Sequence, residues 1–177
     1  MKIVTTPMCK DVLRLAGVRE FYVNSDPDST DADIAVVLSE TDTNMKSVKI
    51  QLNTFLQIRE SVEMLRDLFE TDTIEYDLVD YDFQRALVSE NRNIKVKVYS
   101  NFLRDIVDDL GFKVVSGDQS YHYIVYPDYI REELSDEIIK MGDRAVEVPS
   151  HKNVPRDPLK RAELRYKLLE KKLCTKP

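Results

Sequence analysis

The chain has 177 residues, of which 42% are apolar and 33% are charged, and its formal net charge is −6. Its length suits one domain, or two small lobes that share a core. No apolar run approaches the roughly 18 residues that a membrane span requires, and the first residues lack the apolar segment of a signal peptide. The two cysteines lie near opposite ends of the chain, so we do not expect a framework of disulfide bonds. We therefore expect a cytoplasmic protein that does not enter a membrane.

The charges are segregated along the chain. Residues 1–150 hold 17 basic and 29 acidic side chains, whereas residues 151–177 hold nine basic and three acidic ones. Nucleic-acid binding needs a basic surface, so this acidic body indicates that nucleic acid is not a partner. The basic C-terminal segment is expected to dock on an acidic protein surface, which is either a partner or this protein's own body.

The first 40 residues predict one strand–helix–strand unit followed by a further strand. Lys2–Thr5 forms a buried strand, Thr6 caps the following helix, and Gly17 ends that helix in a left-handed turn. A second strand covers Phe21–Val23. The continuous apolar run Ile34–Leu38 is typical of a strand that a parallel sheet buries on both faces.

The middle of the chain is predicted to be mainly helical. Val48, Ile50 and Leu52 alternate as in a strand, and Asn53 then caps a helix that runs to about Glu70. A single long helix that begins at Met45 is the alternative. Residues 74–90 have apolar side chains at helical spacing and predict a further helix.

Residues 96–111 resemble residues 2–17 at an offset of 94, and both segments end in glycine. The second copy predicts a strand at 94–99, a helix at 101–110 and strands at 112–115 and 121–126. The fold class is therefore α/β, with two similar strand–helix–strand halves, about 1–40 and 94–127, around a parallel or mixed sheet. This α/β domain is expected to span residues 1–148.

The C-terminal part is predicted to form a helix at 128–142, an edge strand at 145–148, and then a linker and a basic amphipathic helix within 149–177. In this last helix, apolar side chains recur at spacings of three and four residues and form a narrow seam. The seam and its basic neighbours are the expected partner-binding residues: Leu159, Ala162, Arg165, Tyr166, Leu169, Lys172 and Leu173.

A candidate ligand site lies where the first and third strands end. Open α/β sheets bind ligands beyond the carboxyl ends of their strands, and the residues that follow these two strands are polar. Thr5 ends the first strand, Thr6 and Cys9 follow it, and Ser39 and Glu40 follow the third. Near a helix N-terminus, Cys9 can be a reactive thiol or a metal-cluster ligand. The alternative is that Thr6 caps the helix and Cys9 packs as a small apolar residue.

Known catalytic signatures are absent from the sequence. There is no phosphate-binding loop, dinucleotide fingerprint or nucleophile elbow, and the chain has only four glycines. His122 and His151 have no partner at zinc-ligand spacing. We assign no catalytic residue, we leave the cofactor and any metal unassigned, and we expect a protein that is not an enzyme.

Two segments, KIVTTPMCKDVLRLAGV at the start and DADIAVVLSET at residues 31–41, resemble the methanogenesis marker proteins of methanogenic archaea. Several members of those families are associated with the assembly or ATP-driven activation of methyl-coenzyme M reductase. The resemblance implies an accessory subunit that binds this reductase or its activation factors. No catalytic residue is implied by it.

These observations lead to two functional hypotheses. The first is a non-catalytic accessory subunit in methyl-coenzyme M reductase assembly or activation, with the C-terminal helix as its docking arm. The alternative is a small-molecule-binding protein or enzyme that uses Thr5, Thr6, Cys9 and Glu40.

Overall fold

The structure is a computed structural model, and it describes residues 1–72, 91–150 and 154–173. The chain divides into two compact units. Unit 1 comprises Met1–Tyr81 with Arg156–Leu159, and unit 2 comprises Asp82–Pro155 with Lys160–Pro177. The predicted half-repeats at 1–40 and 94–127 therefore fall one in each unit.

Unit 1 contains a four-stranded sheet in which every neighbouring pair of strands is parallel, in the order β2-β1-β3-β4. Its described strands and helices are β1 (Ile3–Thr5), α1 (Lys10–Leu15), β2 (Tyr22–Val23), β3 (Ile34–Leu38), β4 (Ser47–Ile50) and α2 (Phe55–Phe69).

Unit 2 repeats this topology with a second four-stranded parallel sheet, in the order β6-β5-β7-β8. Its described strands and helices are β5 (Lys95–Val98), α3 (Asn101–Asp109), β6 (Lys113–Val115), β7 (Tyr123–Pro127), α4 (Ser135–Met141), β8 (Ala145–Val148) and, from Lys160 onward, the last helix α5 (Pro158–Leu173). The predicted α/β class with two similar halves is confirmed.

Burial explains why these segments form central strands. In β3, Ile34–Val37 are buried, because the two faces of a parallel sheet are both covered. Val4 in β1 and Val96 in β5 are fully buried, and each lies in a strand that has a neighbour on both sides. Full burial stabilises each by about 1.5–3 kcal/mol relative to an exposed side chain.

Local signals explain the helix ends, with two differences from expectation. Helix α1 begins at Lys10 rather than after Thr6, because residues 7–9 form a turn. Helix α2 is capped by Thr54 rather than Asn53: the Thr54 side chain accepts from the Gln57 backbone N–H, and the Gln57 side chain accepts in return. The strand-then-helix interpretation of residues 47–70 is confirmed.

The region after β7 also differs from expectation. A 3₁₀ turn at Asp128–Ile130 comes first, and helix α4 covers only Ser135–Met141. Gly142, with φ of 55°, ends this helix as expected. The helix predicted for 74–90 lies outside the described residues. No helix within the described ranges is long and apolar enough to cross a membrane.

Candidate functional site

The carboxyl ends of β1 and β3 lie at the same edge of the sheet in unit 1. The two strands are parallel neighbours, with Thr5 paired to Val36. The residues that follow them, Thr6 and Ser39, therefore emerge at one edge, where α/β sheets usually bind ligands. We call this the unit 1 edge and define it by Thr5, Thr6, Cys9, Ser39 and Glu40.

The side chains at the end of β1 and directly after it form the buried part of this edge. Thr5 is fully buried and donates its hydroxyl to the carbonyl oxygen of Val36 at 2.7 Å. Thr6 is nearly buried and donates to the Cys9 sulfur at 3.6 Å. Cys9 is fully buried. These contacts support the alternative in which Cys9 packs as a small apolar residue. They also place Thr5 and Thr6 beneath the surface.

The side chains that follow β3 are exposed. Ser39 donates its hydroxyl to a carboxylate oxygen of Glu40 at 2.9 Å. The Ser39 backbone N–H donates to the carbonyl oxygen of Ile50 at 2.9 Å, which holds the start of this turn against β4. Ser39 and Glu40 thus present a carboxylate and a hydroxyl to solvent from a fixed backbone.

A shallow cleft of about 350 Å³ lies at the opposite edge of the same sheet. It is lined by residues at the amino ends of β1 and β2, among them Lys2, Arg19, Glu20 and Tyr22. Its position does not coincide with the unit 1 edge, so the two are separate features of unit 1.

The described residues do not contain a recognisable metal site. Within residues 1–72, 91–150 and 154–173, no three His, Cys, Asp or Glu side chains are grouped so that they could hold a metal ion. His122 is used within the fold: its Nδ1 accepts from the Lys95 backbone N–H at 2.9 Å, and its own backbone N–H donates to the Lys95 carbonyl at 2.8 Å. His151 lies outside the described residues.

The expected partner-binding seam of the C-terminal helix, α5, is buried within this chain. Leu159, Ala162, Tyr166, Leu169 and Leu173 are each at most 4% exposed. A partner that uses this seam would first have to displace the helix from the body. Of the seven residues predicted to bind a partner, all of them described, Lys172 alone is exposed.

Arg165 is also buried and fastens α5 to unit 2. Its guanidinium donates to the carbonyl oxygens of Pro149 at 3.1 Å and Ser150 at 2.6 Å. The same group stacks over the Phe102 ring at 4.6 Å. Burial, with a smaller contribution from Arg161, lowers the pKa of Arg165 to about 10, so the group stays charged at neutral pH.

Unit 2 contains a polar cluster that was not predicted from the sequence, which we call the Glu137 cluster: Lys97, Tyr99, Tyr121 and Glu137. One Glu137 oxygen accepts from Lys97 at 3.1 Å and from the Tyr121 hydroxyl at 2.6 Å, and the other accepts from the Tyr99 hydroxyl. The Lys97 ammonium lies 5.0 and 5.2 Å from the two tyrosine ring centres. The sequence holds one indication of this cluster: Lys97 and Tyr99 are two residues apart, a spacing that places side chains on the same face of a strand.

No protein-family model matches the chain, and no curated protein matches its sequence. Its fold matches solved structures over nearly the whole length, among them the following two. One is a Zn(II)-bound mutant variant of AdcAII from Streptococcus pneumoniae, with 14% identity, a TM-score of 0.56, and coverage of 98% of this chain and 99% of that one. Another is a Mn-bound mutant of a periplasmic metal-binding protein from Candidatus Liberibacter asiaticus, with 10% identity, a TM-score of 0.55, and coverage of 98% and 100%.

These matches correct several expectations. The resemblance to methanogenesis marker proteins is contradicted, because the structural neighbours are bacterial metal-binding proteins. The accessory role with methyl-coenzyme M reductase or its activation factors as partners is contradicted on the same ground. So is the cytoplasmic setting, since one neighbour is described as periplasmic. At this level of identity, the neighbours show the fold alone: the chain shares with them an α/β fold built of two halves.

Proposed function

We propose that this chain is a solute-binding protein that holds a small polar ligand at the unit 1 edge. The observation that carries the proposal is the fold: two parallel sheets of the same strand order, matched over nearly the whole length by two ligand-binding proteins. The proposal develops the second hypothesis drawn from the sequence, that of a small-molecule-binding protein. We propose a location outside the cytoplasm on the same structural similarity, because one of the two matched proteins is described as periplasmic.

Ser39 and Glu40 are the proposed ligand contacts, because their side chains are exposed and their backbone is anchored to β4. Thr5, Thr6 and Cys9 are the proposed floor of the site, since they are buried beneath the same edge. A charged hydrogen bond to a ligand contributes about 1.5–3 kcal/mol. Glu40 therefore favours solutes that carry hydroxyl or ammonium donors.

The two neighbours are described as binding Zn(II) and Mn. The donor groups of this chain do not fit such an ion in the part that the structure describes. Zinc prefers histidine and cysteine ligands, but the ring of His122 accepts a backbone hydrogen bond, Cys9 is fully buried, and no three donors are grouped in that part. The proposed ligand is therefore an organic solute rather than a transition metal.

The test is a thermal-shift screen of the purified chain with amino acids, monosaccharides, ZnCl2 and MnCl2, followed by calorimetric titration of any hit. A ligand present at 100 times its Kd stabilises the folded state by about 2.7 kcal/mol. We expect an organic solute to bind and Glu40→Gln to weaken binding about tenfold or more. Arg19→Met, in the cleft at the opposite sheet edge, is the matched control and should bind normally. Tight Zn²⁺ or Mn²⁺ binding, or no binding of any solute, would contradict the proposal.

A further inference from the structure

The Glu137 cluster has an arrangement that the fold itself does not require. The two units have the same strand order, so β1 and β5 are equivalent strands. Lys97 pairs with Ile124, and at the offset of 94 its counterpart Ile3 pairs with Ile34. Unit 1 thus builds the same sheet with a buried isoleucine where unit 2 has a lysine.

Three donors of the cluster converge on one carboxylate. Lys97 and Tyr99 come from or directly after β5, and Tyr121 comes from the segment before β7. The acceptor, Glu137, belongs to a different element, the short helix α4 between β7 and β8. An ammonium and two phenol hydroxyls aimed at one carboxylate form the set of donors that a bound oxyanion needs.

The cluster is partly open to solvent. The side chain of Lys97 is 28% exposed and that of Glu137 is 22% exposed. Solvent that reaches this ion pair weakens it relative to a fully buried pair, so another anion can compete with Glu137 for the same donors. Helix α4 has seven residues, and Ile139 on its outer side is 79% exposed.

We propose that Lys97, Tyr99 and Tyr121 form an oxyanion-binding site for a carboxylate or phosphate group, and that Glu137 occupies it as an internal competitor. This proposal goes beyond the solute-binding function, because it concerns unit 2 and holds whether or not the unit 1 edge binds a ligand. An incoming oxyanion takes over the three hydrogen bonds, and α4 moves with the displaced Glu137.

The ionisation of the group agrees with this assignment. Burial opposes the charge on Glu137, but hydrogen bonds from Tyr121, Tyr99 and Lys97 outweigh it and lower the pKa of Glu137 below its ordinary value. The interaction with Tyr99, and to a smaller extent the hydrogen bond with Glu137, raises the pKa of Lys97. At neutral pH the site therefore holds one anion opposite one cation and two neutral phenols.

The test compares the Glu137→Gln protein with the wild type in calorimetric titrations with inorganic phosphate and with acetate at fixed ionic strength. Removing the competing charge should tighten binding of at least one anion about tenfold or more, and the stronger of the two identifies the oxyanion class. Adding Lys97→Met to Glu137→Gln should abolish that gain. Glu133→Gln, an exposed charge just before α4, is the matched control. Equal anion affinity in the Glu137→Gln, Glu133→Gln and wild-type proteins would overturn the proposal.

A second measurement covers the case in which Glu137→Gln does not fold. In wild-type protein labelled with ¹³C, the carboxyl carbon of Glu137 should shift in a saturable way as phosphate or acetate is added, since the anion releases it from its three donors. A Glu137 signal that stays unchanged throughout both titrations would overturn the proposal. Neither result depends on binding at the unit 1 edge, where Glu40→Gln is the separate test.

Discussion

At the scale of single residues, Arg165 shows how a charged side chain stabilises the interior of unit 2. It is 5% exposed, yet its guanidinium has two carbonyl acceptors and an aromatic ring to stack on. A planar fork of donors suits this geometry better than a lysine ammonium, which has neither the plane nor the spread of donors. The residue therefore acts within the fold rather than as part of a partner-binding surface.

We expect Arg165→Met to lower the free energy of unfolding by about 2–4 kcal/mol, because two carbonyl oxygens lose a charged donor in a buried place. Arg165→Lys should recover only part of this loss. Urea unfolding at pH 7 measures both values. Lys171→Met, at an exposed position of the same helix, should change stability by less than about 0.5 kcal/mol. An equal effect of the substitutions at 165 and 171 would contradict this role.

Glu137 also links stability to pH. Its folded-state pKa is lowered, so its ionisation stabilises the folded protein above the unfolded-state pKa of about 4.3, and this contribution is lost as pH falls through the lower folded-state pKa. We expect the urea midpoint of the wild type to fall below pH about 4.3 more steeply than that of Glu137→Gln. Measurements at pH 7, 5, 4 and 3 give the difference. Parallel curves would show that Glu137 makes no contribution.

At the scale of secondary-structure elements, the caps and turns determine where helices begin and end. The Thr54 side chain accepts a hydrogen bond from the Gln57 backbone N–H, and the Gln57 side chain accepts one from the Thr54 backbone N–H. The sequence offered Asn53 and Thr54 as adjacent capping residues, and both types are favoured at this position. Thr54 takes the role because its Oγ1 accepts from the Gln57 backbone N–H at 3.1 Å, in the first turn of the helix.

Replacing this cap should weaken α2 without altering the core. We expect Thr54→Ala to cost about 1 kcal/mol, within a range of 0.5–2, because one N–H at the helix start loses its acceptor. Thr54→Ser keeps the hydroxyl and should cost markedly less. The two free energies of unfolding are compared in urea, and equal losses would mean that packing of the threonine methyl, not capping, is what matters.

Gly17 shows how close approach restricts a turn. Its φ is 81°, and an added Cβ would lie 3.2 Å from both the Asp72 carbonyl oxygen and the Thr71 Cβ. Thr71 is held there by the hydrogen bond it donates to the Ala16 carbonyl. Gly117 also has positive φ but has open space around it.

Gly17→Ala should therefore destabilise the protein more than Gly117→Ala. Both substitutions incur the cost of a left-handed alanine, about 1 kcal/mol, but only the first adds a backbone clash. Thermal unfolding of the two variants under one buffer condition measures the difference. A larger loss at position 117 would contradict the close approach seen at the end of α1.

At the scale of the whole molecule, α5 belongs to the folded body. Its apolar seam is buried and its Tyr166 hydroxyl donates to the Asp109 carboxylate on α3. Buried apolar area stabilises by about 25 cal/mol per Å², so removing the helix uncovers the surface that it protects.

We expect a chain that ends at residue 156 to lose its fixed tertiary packing, seen as a weaker near-ultraviolet circular dichroism signal and a lower midpoint of thermal unfolding. A chain that ends at residue 173, which keeps all of α5, serves as the control and should match the full protein. If the shorter chain stays fully folded, α5 is a detachable arm after all.

The alternation of strands and helices, the glycine stops and the duplication of the first unit were determined by the sequence itself. These properties depend on short-range causes: apolar periodicity, left-handed glycines and β-branched runs such as Ile34–Leu38 act within a few residues. The fold class could be predicted for this reason. The errors were confined to the ends of helices: α1 begins later than predicted, and α4 is shorter than predicted.

Only the tertiary structure decided which side chains are buried and which come together. A seam at helical spacing looks the same in sequence whether it faces a partner or this chain's own body, and Cys9 at a helix start looks the same whether exposed or buried. The Glu137 cluster joins residues up to 40 positions apart on separate elements. Such groupings depend on how sheets and helices pack, and packing is a long-range property that no local pattern records.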